Sequence, residues 1–391
     1  MTLVFAFEGR FEKGIDEKIY SIDGMDYRLL WDRYLELFNH VYVVARVKKT
    51  DKIFSSDMLA ESERMSFVEV PYYIGLRQYF SKKKRITAII KQIAIPGRAY
   101  ICRVPGIIGH LLSTQLRKKN ILYGVEVVGD PWDVFSPSSI RNYFNPILRI
   151  YSLFQLRKIV RNSSAVLYVT KEKLQKRYPP NSKSFHTFAS NVILPDNKMS
   201  LHAKVFSKSK SEKINIISIG SLAQMYKSPD ILIDAVKILN DKGWDCILTW
   251  LGDGMYLEPM IRYAKSKGIH EKIFFLGSVN PEIVRQKLKS SDLFILASRT
   301  EGLPRAMIEA MAFGLPCIGT KIGGIPELLP EEALVAKNNS IRLADKIEEL
   351  LIDKEKLNSM AERNLKEASY YVESVLKKRR KEFYEQIIDI S

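Results

Sequence analysis

The chain has 391 residues, 46% of them apolar and 10% aromatic, and carries a formal charge of +17 at pH 7. That size and composition exclude a disordered chain and indicate about two domains with buried cores. No run of about 18 apolar residues occurs, and the start MTLVFAFEGRFEK lacks the basic segment and long apolar core of a secretion signal, so a cytoplasmic protein without a membrane span is expected.

In chain order, the first half carries the β-branched runs LVFAF, VYVVARV, AYICRV, YGVEVVG and AVLYVT, separated by amphipathic stretches. Between the first two runs, GRFEKGIDEKIYS reads as a loop around Gly9 and Gly14, either a flexible one or a plain surface connection. No Asp or Glu occurs from Val70 to Val125. Within that span, SKKKRITAIIKQIAIPGR sets Lys82, Lys83, Lys84 and Arg85 beside Ile86, Ile89, Ile90 and Ile93 at helical spacing. A basic amphipathic helix of this kind suits an anionic membrane surface; a solvated basic face is the plainer reading. Nucleic acid is the competing polyanion, but no recognition motif is present and no nucleic-acid partner is expected.

His110, in PGIIGHLLS, reads as part of a helix after a strand. Asp130, in VEVVGDPWD, ends a strand and either accepts a proton from an acceptor hydroxyl or forms an Asp-Pro turn. Thr170 and Lys171, in LYVTKEKLQKRY, lie at another strand-to-helix junction, Thr170 as a helix cap and Lys171 as an acceptor or phosphate contact. The polar, Lys- and Ser-rich stretch from about 195 to 213 separates a first domain, residues 1–200, from a second, 213–370. The second repeats the rhythm with INIISIG, CILTWLG, KIFFLG, LFILAS and PCIGT, alternating with segments such as SPDILIDAVKILND and PEIVRQKLKSS. Such alternation is that of βαβ units, so two doubly wound parallel sheets are expected. From Ile341 onward the pattern is helical, and residues 371–391 form a last helix able to return to the first domain. Cys102, Cys246 and Cys317 sit in separate apolar runs without metal or redox spacing and read as buried thiols.

In open parallel sheets ligands bind beyond the carboxyl ends of the strands, which draws attention to LFILASRTEGLPRAMIEAM. A helix beginning near Pro304 directs free amides and its positive dipole end outward, a setting for a phosphate. Glu309 is too deep to meet that phosphate, and either accepts hydrogen bonds from a vicinal diol such as a ribose or pairs with a Lys. Glu301 likewise either binds a second polyol or caps the helix.

Glu301 and Glu309, with seven residues between them and followed by GLP and GGIPELL segments, resemble the nucleotide-sugar motif of retaining glycosyltransferase family 4, a two-Rossmann-domain (GT-B) family active in bacterial surface-polysaccharide synthesis. The resemblance implies that Glu309 binds the ribose hydroxyls of a nucleotide-diphosphate sugar and Glu301 the transferred sugar. It also implies that backbone amides from Gly302 through Leu303, Pro304, Arg305 and Ala306 face the diphosphate. IGSLAQMYKSPD is similar to a second landmark, with Gly220 and Lys227 matching; Ser221 stands where the family carries an Arg, so one diphosphate cation is missing and Arg305 is a candidate substitute. The LGDGM and FFLGSV segments, with Gly277 and Val279, resemble the loops beside the base, and Gly14 would belong to a loop approaching the diphosphate. Asp130 stands near the position of a catalytic-site His in relatives.

The family further implies no cofactor, no metal, a retaining hexosyl transfer, and a glycan acceptor, which the basic first half suggests is lipid-linked at the inner face of the cell membrane. A sugar-nucleotide epimerase on the same architecture, or a non-enzymatic polyanion-binding protein, are the alternatives. The first does not need the Glu301 and Glu309 pair, and the second explains only the charge.

Overall fold

A computed structural model describes residues 1–22, 27–135 and 145–391. The chain forms two compact units. The first comprises Met1–Pro131, Ile150–Ala189 and Lys377–Ser391, and the second Trp132–Arg149 and Ser190–Leu376.

In the first unit the strands are β1 (Thr2–Lys13), β2 (Ile19–Ser21), β3 (His40–Lys49), β4 (Met65–Pro71), β5 (Ala99–Val104), β6 (Gly124–Val127), β7 (Ala165–Tyr168) and β8 (Phe185–Phe188). Their order is β4-β3-β1-β5-β6-β7-β8, with every neighbouring pair parallel, while the short β2 runs antiparallel against β1. Strands covered on both faces can be apolar throughout, which is why β7 reads as an uninterrupted hydrophobic run and β5 and β6 as runs broken only by Arg103 and Glu126, which pair with each other.

The residues expected to form a loop around Gly9 and Gly14 are instead a hairpin. β1 continues through Gly9 after a register shift between Ala6 and Arg10, and Phe11, Glu12 and Lys13 pair with Ser21, Tyr20 and Ile19. Gly14 opens the turn, donating its N-H to the Lys18 carbonyl at 3.0 Å. The pairing satisfies backbone groups that an open loop would leave to water, and this fixes Gly14 in the hairpin turn.

The basic stretch is helical as expected, Gly75–Ile93, but its isoleucines are committed. Ile86, Ile90 and Ile93 pack in the core of the first unit with Val104, Leu112 and Val125, and Ile89 is partly buried against them. The last helix, Glu373–Asp389, packs its later turns on the same unit. Any Cβ at Gly124 would lie 2.1 Å from Ile387, and Tyr384 meets the ring of Tyr34.

In the second unit β9 (Lys213–Ile219), β10 (Asp245–Leu251), β11 (Ile273–Phe275), β12 (Leu293–Leu296), β13 (Cys317–Thr320) and β14 (Leu334–Val335) make a parallel sheet ordered β11-β10-β9-β12-β13-β14. Helices Pro229–Asp241 and Pro281–Ser290 occupy the segments expected for them, each with proline in its first turn. Leaving out the antiparallel β2, the first sheet runs 3-2-1-4-5-6-7 and the second the doubly wound 3-2-1-4-5-6, with a switch point between β1 and β5 in one and between β9 and β12 in the other. All three cysteines are buried and free.

Candidate active site

At the switch point of the second unit, the loops after β9 and β12 meet. Lys227, in a single turn Met225–Lys227, lays its side chain over Gly220; a Cβ there would come within 2.8 Å of its Cγ, so only glycine leaves the lysine this path. Its Nζ pairs with Glu301 Oε1, and the Ser298 hydroxyl donates to the same oxygen at 2.6 Å. Both members of the pair are well shielded, with 17% and 9% of their side chains exposed. Sequence reasoning missed Ser298, although its place at the end of LFILAS was a signal. It also missed Arg299, whose fork grips Asp230 and whose Nη1 donates to the Met225 carbonyl at 2.7 Å. Arg299 therefore splices the two loops together and is committed to that task.

The helix Arg305–Ala312 starts one residue later than the sequence suggests. Pro304 is its cap, with extended ψ of 110°, and no side chain caps the first turn. The amides of Arg305, Ala306 and Met307 have no hydrogen-bond partner among the described residues, which leaves a positive helix end facing outward from the strand ends. The GGIPELL segment supports this loop from behind. The Gly324 amide donates to the Gly302 carbonyl at 2.6 Å, and Gly323 has a left-handed φ of 54° with its Cα so close that a Cβ would lie 2.2 Å from the Glu301 carbonyl oxygen. Gly323→Ala must displace Glu301. We expect a lowered Tm and at least a tenfold loss of whatever activity the Glu301 carboxylate supports, checked by paired assay and melting of the purified variant.

One turn further into the helix, Glu309 lies between buried Ile308 and Ala310. It borders a cavity of about 230 Å³ that is otherwise mostly apolar, lined by Val279, Pro281, Leu288 and Phe313 from one side and Leu194 and Pro195 from another. No hydrogen bond or ion pair reaches the Glu309 carboxylate among the described residues. Burial pushes its carboxyl up to about 7, against a smaller opposing pull from Arg305 one turn earlier. Such a group is satisfied by donors arriving with a ligand.

The neighbouring loops close around these residues. Gly252 donates to the Gly277 carbonyl at 2.8 Å, Gly277 takes a left-handed φ of 64°, and a Cβ on Gly252 would meet the Gly220 carbonyl at 2.2 Å. Ser221, standing where a cation was expected, turns its hydroxyl onto the loop, where it accepts from the Ala223 amide at 3.2 Å. Arg305 is exposed on the first helical turn.

In the first unit, Asp130 is buried with both carboxylate oxygens engaged, Oδ2 by the Arg177 guanidinium and Oδ1 by the Tyr178 hydroxyl at 2.6 Å. The Thr170 hydroxyl accepts from the Leu174 amide at 3.1 Å, as a cap would, and Lys171 beside it is exposed. His110 is half-buried in helix Ile107–Lys118, where burial lowers its pKa. Lys82 donates to the Tyr72 carbonyl, while Lys83, Lys84 and Arg85 are exposed. The switch point itself holds a residue that sequence reasoning passed over. Glu8, in the second half of β1, accepts from the Ile108 amide at 2.9 Å and from the Tyr73 hydroxyl at 2.6 Å, filling the N-terminus of helix Ile107–Lys118 with the protein's own carboxylate. Among the described residues no group of three or more His, Cys, Asp or Glu side chains could hold a metal ion, and no helix is long and apolar enough to cross a membrane.

Two doubly wound Rossmann-like units, with an anion-ready helix end and a diol-ready carboxylate on the second, define the GT-B class of fold. Residues 202–367 match the model of the family described as glycosyl transferases group 1. It is 28% identical over 397 aligned residues to Protein CapJ of Staphylococcus aureus, covering 100% of this chain and 97% of that protein. Among solved structures, Anabaena HepE in complex with UDP and glucose superimposes with a TM-score of 0.64 at 15% identity, covering 99% of both chains. The lipopolysaccharide outer core galactosyltransferase WaaB does so with a TM-score of 0.66 at 15% identity, covering 100% of this chain and 99% of that one. At such identities these two structures speak for the fold.

Proposed function

We propose that this glycosyltransferase moves a sugar from a nucleotide-diphosphate sugar to a lipid-linked glycan acceptor in bacterial surface-polysaccharide synthesis. The anomeric configuration is retained, no metal takes part, and the protein acts at the cytoplasmic face of the membrane. The observation that carries the donor half is Glu309: a carboxylate without a protein partner, at a cavity, inside a helix whose first amides are free. The ribose diol supplies the missing donors, the amides from Arg305 to Met307 and the Lys227 ammonium meet the diphosphate, and Arg305 supplies the second cation in place of the residue lost at Ser221. Glu301, held by Ser298 and Lys227, receives hydroxyls of the transferred sugar. The bond from the anomeric carbon to the phosphate oxygen breaks with its electron pair leaving on the nucleotide, and the acceptor oxygen bonds the same face as its proton passes to the departing phosphate oxygen. Lys171, and Asp130 as held by Arg177 and Tyr178, are assigned to the acceptor side, while Thr170 caps its helix. HepE, solved in complex with UDP and glucose, and WaaB, a lipopolysaccharide outer core galactosyltransferase, share this fold, and the reading is framed on that likeness of fold alone.

The test is a thermal-shift panel of UDP, GDP, ADP and CMP with their sugars, followed by proton NMR of the product. One nucleoside diphosphate should raise Tm with concentration, since a ligand that binds only the folded state stabilises it. Transfer should then persist in EDTA and keep the donor's anomeric configuration. Inversion, or silence toward every nucleotide, would remove the reading.

A further inference from the structure

Because the isoleucine face of the helix Gly75–Ile93 is spent on the core, the membrane contact proposed above needs other apolar groups. The same helix exposes two at its beginning. Leu76 and Phe80, one turn apart, are 49% and 62% exposed, and Ile74 just before the helix is 54% exposed. Basic side chains surround them: Arg77 and Lys84 are exposed, and the Lys83 ammonium lies 5.8 Å from the centre of the Phe80 ring. A second helix, Asn145–Arg161, carries Ile150, Tyr151 and Phe154 outward, with Tyr151 and Phe154 56% and 62% exposed, although its other face buries Leu156, Ile159 and Val160 in the core. The two helices share one core, Tyr79 and Ile86 of the first with Leu156 and Ile159 of the second, so both exposed sets belong to the first unit. Single exposed apolar residues need no explanation; two clustered groups of them, ringed by cations in a stretch with no acidic residue, do.

We propose that this surface, centred on Leu76, Phe80, Tyr151 and Phe154, enters the headgroup layer of an anionic bilayer while Arg77, Lys83 and Lys84 meet lipid phosphates. The choice of partner follows from charge complementarity: an apolar centre with a purely basic collar matches a surface that is negative outside and apolar within. A protein partner or a second copy would be expected to meet such a collar with carboxylates, and none lies in this stretch to make the patch self-complementary. Aromatic side chains suit the boundary, since their rings tolerate the interface between water and acyl chains. The inference rests on the reading of a membrane-side acceptor, and it differs from a purely electrostatic attachment by requiring insertion.

The full-length protein is sedimented with vesicles of phosphatidylcholine alone and of phosphatidylcholine with one quarter phosphatidylglycerol, at low and raised salt. Wild type should pellet with the anionic vesicles. Leu76→Ser/Phe80→Ser and Tyr151→Ser/Phe154→Ser should each bind about tenfold more weakly or worse, and Lys83→Ser/Lys84→Ser should bind more weakly chiefly at low salt. Phe80→Trp should show blue-shifted indole emission with anionic vesicles and quenching by brominated acyl chains. Unchanged vesicle binding after loss of the apolar side chains, or emission from the Phe80→Trp variant that is indifferent to vesicles, overturns the proposal. So does a concentration-dependent dimer that disappears in Leu76→Ser/Phe80→Ser while no vesicle is bound. Nucleotide thermal shifts on the same variants separate the two readings: their absence in every variant and in wild type, with insertion intact, would sink the transferase proposal and leave the membrane surface standing.

Discussion

Glu309→Gln is expected to stabilise the ligand-free protein above pH 7 and, in the same variant, to weaken donor binding by about a hundredfold. The carboxyl's pKa in the folded chain is about 7, above its ordinary value, because burial disfavours the charged form. A raised pKa means that the folded state prefers the protonated group. Its stability is therefore fully present below about pH 4.5, falls as pH rises, and has lost the full increment above pH 7. The amide carries no charge and does not incur that loss, so the two melting curves should coincide near pH 4 and separate above pH 7. The gap is on the order of 2 kcal/mol once the partial exposure of Glu309 to its cavity is allowed for. Donor binding runs the other way. Two hydrogen bonds to a carboxylate contribute about 1.5 to 3 kcal/mol each, and the amide keeps only a weaker acceptor, hence the hundredfold loss. Wild-type affinity should also tighten as pH rises through 7, and the variant's should not. Calorimetry and melting across pH measure both effects; parallel melting curves, or undiminished affinity, would refute the account of Glu309 as a ligand-binding carboxylate.

Lys227→Met is expected to lose activity by a factor of about 100 to 1000 and to destabilise the fold by about 3 kcal/mol. On the proposed reading, the activity loss follows from removing the cation paired with Glu301, which would meet the charge on the leaving diphosphate. The stability loss has a different origin. Without Lys227, the shielded Glu301 carboxylate keeps only the Ser298 hydroxyl, and a charge left without its partner away from water costs more than the intact pair gained. Lys227→Met/Glu301→Gln should therefore recover most of the stability while remaining inactive, a non-additivity that a double-mutant cycle reads directly. Near-normal turnover in Lys227→Met would remove the lysine from the diphosphate site.

Much of this arrangement was legible in the residues because buried parallel strands must be apolar on both faces, and runs such as INIISIG and LFILAS have no other comfortable setting. The edge strands β4, β8 and β14 were not legible, although the edge strand β11 was, in KIFFLG. β4 alternates with Ser66 and Glu69, and β8 is the short FHTF, so both lack the continuous run that betrays a central strand. The helix Gly75–Ile93 shows a different limit. Periodicity announced that the helix had an apolar face, but only the fold shows that Ile86, Ile90 and Ile93 meet strands β5 and β6 and neighbouring helices instead of lipid. In the site, Glu309 drew attention by its type and position, with two roles left open, and Lys227 through the resemblance alone. Arg299 and Glu8 were not legible, because their partners lie 69 and 100 residues away with no local pattern that couples them, whereas Ser298, three residues from Glu301, was passed over despite its place at the end of LFILAS.

The last helix has a consequence for how the chain is made. Tyr384 and Ile387 cover Tyr34 and Gly124 of the first unit, yet they leave the ribosome only after the whole stretch Ser190–Leu376 has been synthesised. At about 5 to 20 residues per second, that delay is roughly 10 to 40 s. During it, the half of the protein translated first waits with an apolar flank open, while the half translated second already has every strand of its sheet. Completion thus runs opposite to translation, and a chain stalled or truncated before Lys377 would present the first unit, not the second, to chaperones and proteases.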